Sequence, residues 1–517
     1  MTAKQKDFLL GIDVGTTLIK SALFDLDGHM VALSSAGVGL EHPSPGWAEQ
    51  DMDAVWRATS QTIREAVQAA DQSGGKIAAI STSGQGGGMW LIDRDGRPVR
   101  KGITWLDGRA GEFFPDWEKA GIIEELDEST GYHTFPGVGP LLIFHWFKKH
   151  DPNILSKAYK TLWAKDWVKF KLTGVVATDE SDPSNGHFLR GERQFSEPLF
   201  EMLEVKEYMH LLPPIVPSWQ VMGKVNAEAA AETGLQTGVP VASGAWDVSS
   251  TGLGAGCIRE GQTLSILGTA GIHLSVSAAA PQEKKAPYSA CVHCVPGHWV
   301  VNSMAMTATS NLDWFIRESC QADKDDAERT GKNFFEIINA RVAASPVGAG
   351  GVIFLPFLQG ERAPFVKPNA RGVFFGISDA TTRGDLLRSI YEGVAFSARH
   401  NYEVIERAIP IREVVLSGGG SKSAVWSQIV SDCTNKPMTI PAGEEFGALG
   451  AALNAGVAVG IYKDHREAAS HLSIARRHQP DTQNHALYQG YYEIYRQLIK
   501  NNWETWEKLA EIRNRRR

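Results

Sequence analysis

Apolar residues at the start of the chain come in short strand-like runs. Phe8-Leu9-Leu10 leads into "GIDVGTTLIK", and "LIKSALFDLDG" then alternates, with Ile19, Ala22 and Phe24 among polar or small neighbours until Asp27-Gly28. Alternation on both sides of a Gly-Thr-Thr turn predicts a β-hairpin, with two or three strands over residues 8–33. Residues 53–70 change period, placing Val55, Trp56, Ile63 and Val67 on one side of a helix. "KIAAISTSGQGGGMWLIDRDGRPV" predicts a strand, a glycine-rich turn over Gly84–Gly88 and a second strand ending at Asp95-Gly96. The Trp- and Lys-rich stretch 140–172 reads as helical. "TDESDPSNGHFLRGERQFS", around 178–196, has the polar, turn-rich character of an exposed excursion.

The strand pattern restarts at "VPVASGAWD", near Val239, and "QTLSILGTAGIHLSVS" repeats the physics of the opening: apolar strand, Gly-Thr plus a small residue, second alternating strand. Further on, Val414-Val415-Leu416 form a short buried strand and Gly418-Gly419-Gly420 a turn. A helix follows with Val425, Trp426, Ile429, Val430 and Cys433 on one face, and stops at Asn435 before Pro437. The final 30 residues, with Tyr488, Tyr491, Tyr492, Tyr495, Leu498, Ile499 and Trp506, read as a docked amphipathic helix.

At 517 residues the chain is too long for one core, and two large domains are expected, 1–250 and 251–517. Its net charge of −7 and a basic cluster confined to the tail "RNRRR" give no support for nucleic-acid binding. Five irregularly spaced cysteines argue against a disulfide framework and for a reducing compartment. "CVHC", Cys291 to Cys294, has no second pair to complete a zinc site and reads as structural or incidental. With "MTAKQKD" leading straight into a strand and no apolar run near 18 residues, the expectation is a cytoplasmic protein without a membrane span.

Two Gly-Thr hairpins and a triple-glycine turn before a helix suit the two sides of one anion, because glycine permits φ > 0 and free backbone N–H groups face outward. Neither a P-loop nor a dinucleotide fingerprint is present. The set matches a two-lobed nucleotide enzyme of the actin and sugar-kinase type. Such an enzyme needs an acid for Mg²⁺, and Asp13 precedes Gly15 by two residues. It also needs a base for the acceptor proton. Asp247 in "SGAWDVSSTG" is the candidate; its alternative role is to N-cap the helix that follows.

"GVFFGISDATTRGDLLRSIYEG", Gly372 to Gly393, resembles the C-terminal signature of the FGGY carbohydrate kinases, and matching features run from Gly11 to about Gly456. The resemblance implies an α/β fold of two actin-like, ribonuclease H-like lobes, with ATP and sugar in the cleft between them. It implies Asp13, Gly15, Thr16 and Thr17 at the phosphates and Mg²⁺, with Asp13 serving the metal. Gly268 and Thr269 would form the second phosphate turn, Gly418, Gly419 and Gly420 would lie against the adenosine, and Asp247 would be the catalytic base. A homodimer is the family-level expectation.

The acceptor is a small sugar or polyol. "SGQGGGMW" lacks both the Met-His pair of D-xylulose kinases and the Arg-Glu pair of glycerol kinases; with "WLDGRA" it looks closer to L-xylulose and erythritol kinases. Gln85, Trp105, Asp107 and Arg109 are placed at or near the sugar, the alternative for Asp107 and Arg109 being a clamp on each other. L-Xylulose is the first expectation, and erythritol or glycerol the second. An actin-like ATPase without sugar transfer is the reading from another class.

Overall fold

The structure, a computed structural model, describes residues 6–514. The outer residues of "MTAKQKD" and the last three arginines of the basic tail lie outside the described residues. Two compact units emerge. One takes the described residues up to Glu260 together with Val276–Val300 and Glu445–Leu472; the other takes Gly261–Ser275, Val301–Glu444 and the chain from Ser473 onward.

The first unit is built on a mixed sheet. β1 (Lys6–Val14), β2 (Leu18–Phe24) and β3 (Met30–Gly37) form an antiparallel meander. Helix α1 (Met52–Gln72), N-capped by Asp51, then carries the chain to β4 (Gly75–Gly84), which lies parallel to β1. β5 (Val221–Lys224) and β6 (Pro240–Ala242) extend the order to β3-β2-β1-β4-β6-β5, with β7 (Ala245–Trp246) parallel to the end of β4. Side chains alternate across a strand. Leu10, Ile12 and Val14 therefore join Val55, Trp56 and Ile63 of α1 in one core, which also takes Trp167 and Val168 from α2 (Ala164–Thr173). Gly11 and Asp13 turn to the other face, against the helix Phe446–Ala458. That approach requires glycine, since a Cβ at Gly11 would lie 1.8 Å from the Ala448 carbonyl oxygen. A second, mostly helical core gathers Met89, Leu91, Phe144, Phe147 and Phe200. Helix α3 (Asp247–Gly254) follows β7.

In the second unit β8 (Gln262–Leu267) pairs antiparallel with β9 (Gly271–Ser277) and parallel with β10 (Glu413–Ser417). β11 (Met438–Pro441) follows parallel, and β12 (Ile474–His478) closes antiparallel. The order β9-β8-β10-β11-β12 thus repeats the antiparallel, parallel, parallel, antiparallel sequence of β2-β1-β4-β6-β5. The repeat that is weak by letters is strong by topology.

The signature segment is structural. Thr382 and Asp385 form a reciprocal capping box on the helix Arg383–Ile405. Glu392 accepts from Arg388 Nε at 2.6 Å, Gly348 N at 3.0 Å and Tyr488 Oη at 2.9 Å, tying that helix to the C-terminal helix Thr482–Asn514. Tyr391 stacks on Trp426 at 4.1 Å.

The polar stretch expected to be exposed is split: residues 177–188 are buried throughout, while Gly191, Glu192 and Gln194 are exposed. All five cysteines are buried, and His293 of "CVHC" bonds Ser249 Oγ and the Cys257 carbonyl, which accounts for the motif as packing.

Candidate functional site

The first hairpin leaves β1 at Val14, turns through Gly15-Thr16-Thr17 and returns as β2. Asp13 sits one residue before the strand ends, and its Oδ1 is buried with no hydrogen-bond partner among the described residues. Burial pushes the Asp13 carboxyl up, while Ser83 and Lys20 pull it down. Gly447 keeps its vicinity open: a Cβ there would stand 3.4–3.5 Å from that carboxylate. A buried carboxylate oxygen without a donor suits a cation, and oxygen ligands suit a hard one.

Thr16 is wired to Gln85 of the glycine-rich loop and to Trp105. Its hydroxyl donates to Gln85 Oε1 at 3.1 Å and accepts from Trp105 Nε1 at 3.0 Å. Gln85 Nε2 donates to Gln50 Oε1 at 2.7 Å, and Gln50 Nε2 donates to the Thr16 carbonyl, also at 2.7 Å. Gln50 is fully buried. It is a residue that sequence reasoning missed, although "GWAEQD" precedes the first helix. The glycines of "GQGGG" admit neighbouring groups: a Cβ on Gly86 would fall 2.5 Å from the Trp246 ring, and one on Gly88 2.2 Å from the Ile103 carbonyl oxygen.

Asp107 and Arg109 form the clamp. Asp107 Oδ1 accepts from Arg109 N at 3.0 Å and Nε at 2.7 Å; Oδ2 accepts from Ala48 N at 2.7 Å and Arg109 Nη2 at 2.9 Å. Those four bonds use the carboxylate's acceptor sites. Arg109 also binds Glu49, which in turn holds Arg100, and lies 4.0 Å over the Trp47 ring. Its Nη1 is buried without a partner among the described residues. Of the four expected acceptor residues, Trp105 is the exposed one, at 37%.

Asp247 opens α3 rather than capping it. Trp246 holds the N-cap position, and Asp247 Oδ1 accepts from the adjacent Val248 N at 2.7 Å. Burial and then the Asp13 charge push the Asp247 carboxyl up to about 8. Behind it lies a buried network that the letters did not reveal. Lys165 Nζ binds Asp179 and Asp182, each at 2.7 Å, and Asp166 at 3.2 Å; Lys169 Nζ binds Asp166 at 2.7 Å. Asp179 accepts from Ser181, whose Oγ accepts the Trp246 N–H at 2.8 Å, and Asp182 accepts the Gly87 N–H at 3.2 Å. One lysine thus anchors both the peptide before Asp247 and the glycine-rich loop. Burial pushes Asp182 up to about 7 against the pull of Lys165.

In the second unit the Gly268-Thr269 turn joins β8 to β9. Its carbonyls are bonded: Gly268 O accepts from Thr309 N and Oγ1, both at 2.8 Å, and Thr269 O accepts from Ala308 N at 2.8 Å and Ser310 Oγ at 2.9 Å. Gly418, at φ 85°, packs on the same turn, since a Cβ there would lie 2.6 Å from the Leu267 carbonyl oxygen and 3.1 Å from Gly268 N. Gly419 is open within 4 Å. The glycines do not abut the helix directly. A tight turn, Gly419–Lys422, intervenes, and Ser423 caps the helix Ala424–Thr434 by accepting from Trp426 N at 3.1 Å.

Comparison with known proteins bears on this arrangement. The N-terminal domain model of the FGGY family of carbohydrate kinases matches residues 8–254, and the C-terminal domain model matches 264–459. The chain is 32% identical over 495 residues to the L-xylulose/3-keto-L-gulonate kinase of Escherichia coli K12, covering 95% of this chain and 96% of that protein. It is 29% identical over 518 residues to the erythritol kinase of Brucella abortus, with 98% of each covered. The crystal structure of xylulose kinase from Rhodospirillum rubrum superposes with a TM-score of 0.84 at 28% identity, over 97% of this chain and all of that one. The two sheet-containing domains have the actin-like ATPase fold, and kinases of this family use ATP as phosphate donor, generally with a divalent metal. The chain belongs to the FGGY family of carbohydrate kinases and is a carbohydrate kinase that phosphorylates a sugar with ATP.

Proposed function

We propose that the acceptor is a pentulose, L-xylulose first, with a sugar alcohol such as erythritol or glycerol second. The observation that carries the first choice is the 32% identity along 95% of the chain to a kinase named for L-xylulose; the second rests on the erythritol kinase relative. Asp247 is the base: a carboxyl held near 8 is matched to taking a proton from an alcohol near neutral pH. Trp105 offers the acceptor an exposed aromatic face, and Gln85 an amide beside it; the Asp107–Arg109 clamp holds the strand and turn behind them. Asp13, Gly15, Thr16 and Thr17 serve the terminal phosphates, and Asp13 holds Mg²⁺, which neutralises phosphate charge when bound. Gly268, Thr269 and Gly418–Gly420 serve the nucleotide. We also expect a homodimer, checked by light scattering.

The test is ADP release with Mg-ATP across L-xylulose, 3-keto-L-gulonate, D-xylulose, D-ribulose, L-ribulose, erythritol, D-threitol and glycerol, with Asp247→Ala alongside. One preferred acceptor, lost in the variant, establishes substrate and base together. ADP release indifferent to every acceptor and to Asp247 would favour an actin-like ATPase instead.

A further inference from the structure

The four hydrogen bonds that link Gln50, Gln85, Thr16 and Trp105 have a forced polarity. Thr16 O is a backbone carbonyl and only accepts, so the end of Gln50 that meets it at 2.7 Å is the amide nitrogen. Gln50 Oε1 then faces Gln85 and takes the 2.7 Å bond from Nε2, which turns Gln85 Oε1 toward Thr16 Oγ1 at 3.1 Å. A carbonyl oxygen needs a donor there, so the threonine hydrogen is committed to Gln85. What the hydroxyl presents outward is lone pairs, one of which the Trp105 indole N–H uses at 3.0 Å. A phosphate oxygen needs donors, and in this state the Thr16 hydroxyl cannot be one.

We propose that Gln50 is a positioning residue that makes the Thr16 hydroxyl available to a phosphate only when an acceptor hydroxyl claims the Gln85 carbonyl. The inference rests on the reading that Gln85 meets the acceptor and Thr16 the phosphate. An acceptor O–H that takes the Gln85 Oε1 lone pair now used by Thr16 releases the threonine hydrogen, while Gln50 keeps the amide from rotating to release it unprompted. The ring is thereby a relay from sugar to phosphate, and it opposes hydrolysis of ATP when no sugar is present.

Calorimetry gives a readout other than turnover. The non-hydrolysable analogue AMP-PNP with Mg²⁺ is titrated into the protein with and without L-xylulose, or whichever acceptor the wild type phosphorylates best. Wild-type protein is expected to bind the analogue about 5–150-fold more tightly with acceptor present, the usual range for coupled sites. Gln50→Met keeps length and burial but has neither donor nor carbonyl, and its coupling should fall to about one. Its ADP release without acceptor should rise relative to the stimulated rate. Should Gln50→Met fail to fold, Thr16→Ser and Thr16→Val decide: serine keeps the coupling and valine loses it. Coupling absent from the wild type, or retained by Gln50→Met or Thr16→Val, overturns the relay. A wild type that turns over no acceptor at all overturns the functional reading instead, so the two failures are distinct.

Discussion

Asp247 titrates near 8 in the folded protein against an ordinary value of 3.8, because burial and the Asp13 charge both oppose its ionisation. Between those values the folded state holds a proton that the unfolded chain has released, so this group costs stability as pH rises from about 4 to 8. Asp247→Asn is therefore expected to match the wild type in urea midpoint near pH 4 and to exceed it progressively toward pH 8, measured without ligand. Its phosphoryl transfer should fall by about 10²–10⁴-fold, the usual worth of a general base. The opposite holds for Arg109. Arg109→Met leaves Asp107 enclosed without its counter-charge, while Glu49 keeps Arg100, a loss of about 3–5 kcal/mol read from the same urea midpoints. The sequence showed Asp107 and Arg109 two apart but could not show that the carboxylate's four acceptor sites are all taken. Neighbours such as the Ala48 N–H come from 59 residues away.

Glycine sets how closely elements approach. A Cβ on Gly450 would lie 1.9 Å from the Ser250 carbonyl oxygen, backbone against backbone with no flexible side chain to yield. Gly450→Ala should separate α3 from the helix Phe446–Ala458, lower the melting temperature and displace Asp247, with activity lost in proportion. Gly86→Ala, in the glycine-rich loop proposed to meet the acceptor, pushes on the Trp246 ring and on Asp182. It should raise the acceptor KM more than it lowers kcat, a split that steady-state kinetics resolves. The hairpins were legible because two-residue alternation and Gly-Thr turns are local. The 177–188 stretch was not. Asp179 and Asp182 look like surface letters, and only Lys165, on a helix whose own pattern says nothing of them, allows their burial. Gln50 was hidden for the same reason: its role lies in bonds to Thr16 and Gln85, 34 and 35 residues away.

The first unit is not continuous in sequence, since Glu445–Leu472 return to it after most of the second unit has been traversed. A chain in which a flexible linker replaces residues 445–472 keeps the whole second unit but lacks the helix that covers Gly11 and Asp13. It should bind the hydrophobic dye ANS strongly and precipitate on concentration, and restoring 445–472 should reverse both. Restarted strand patterning gave the position of the second sheet in the chain, but no local signal marks the return. "FGALGAALNAGVA" reads only as a buried helix, and what it is buried against is fixed by tertiary contact.

That return sets a timetable for synthesis. Ribosomes add about 5–20 residues per second, and β1 and β4 emerge long before Phe446. For on the order of a minute the nascent first sheet stands with one face uncovered, while the strands of a topologically similar sheet are being delivered beside it. The interval invites mispairing between like strands, and the yield of this enzyme is expected to rise when chaperones that occupy the vacant face are supplied until Phe446–Ala458 arrives.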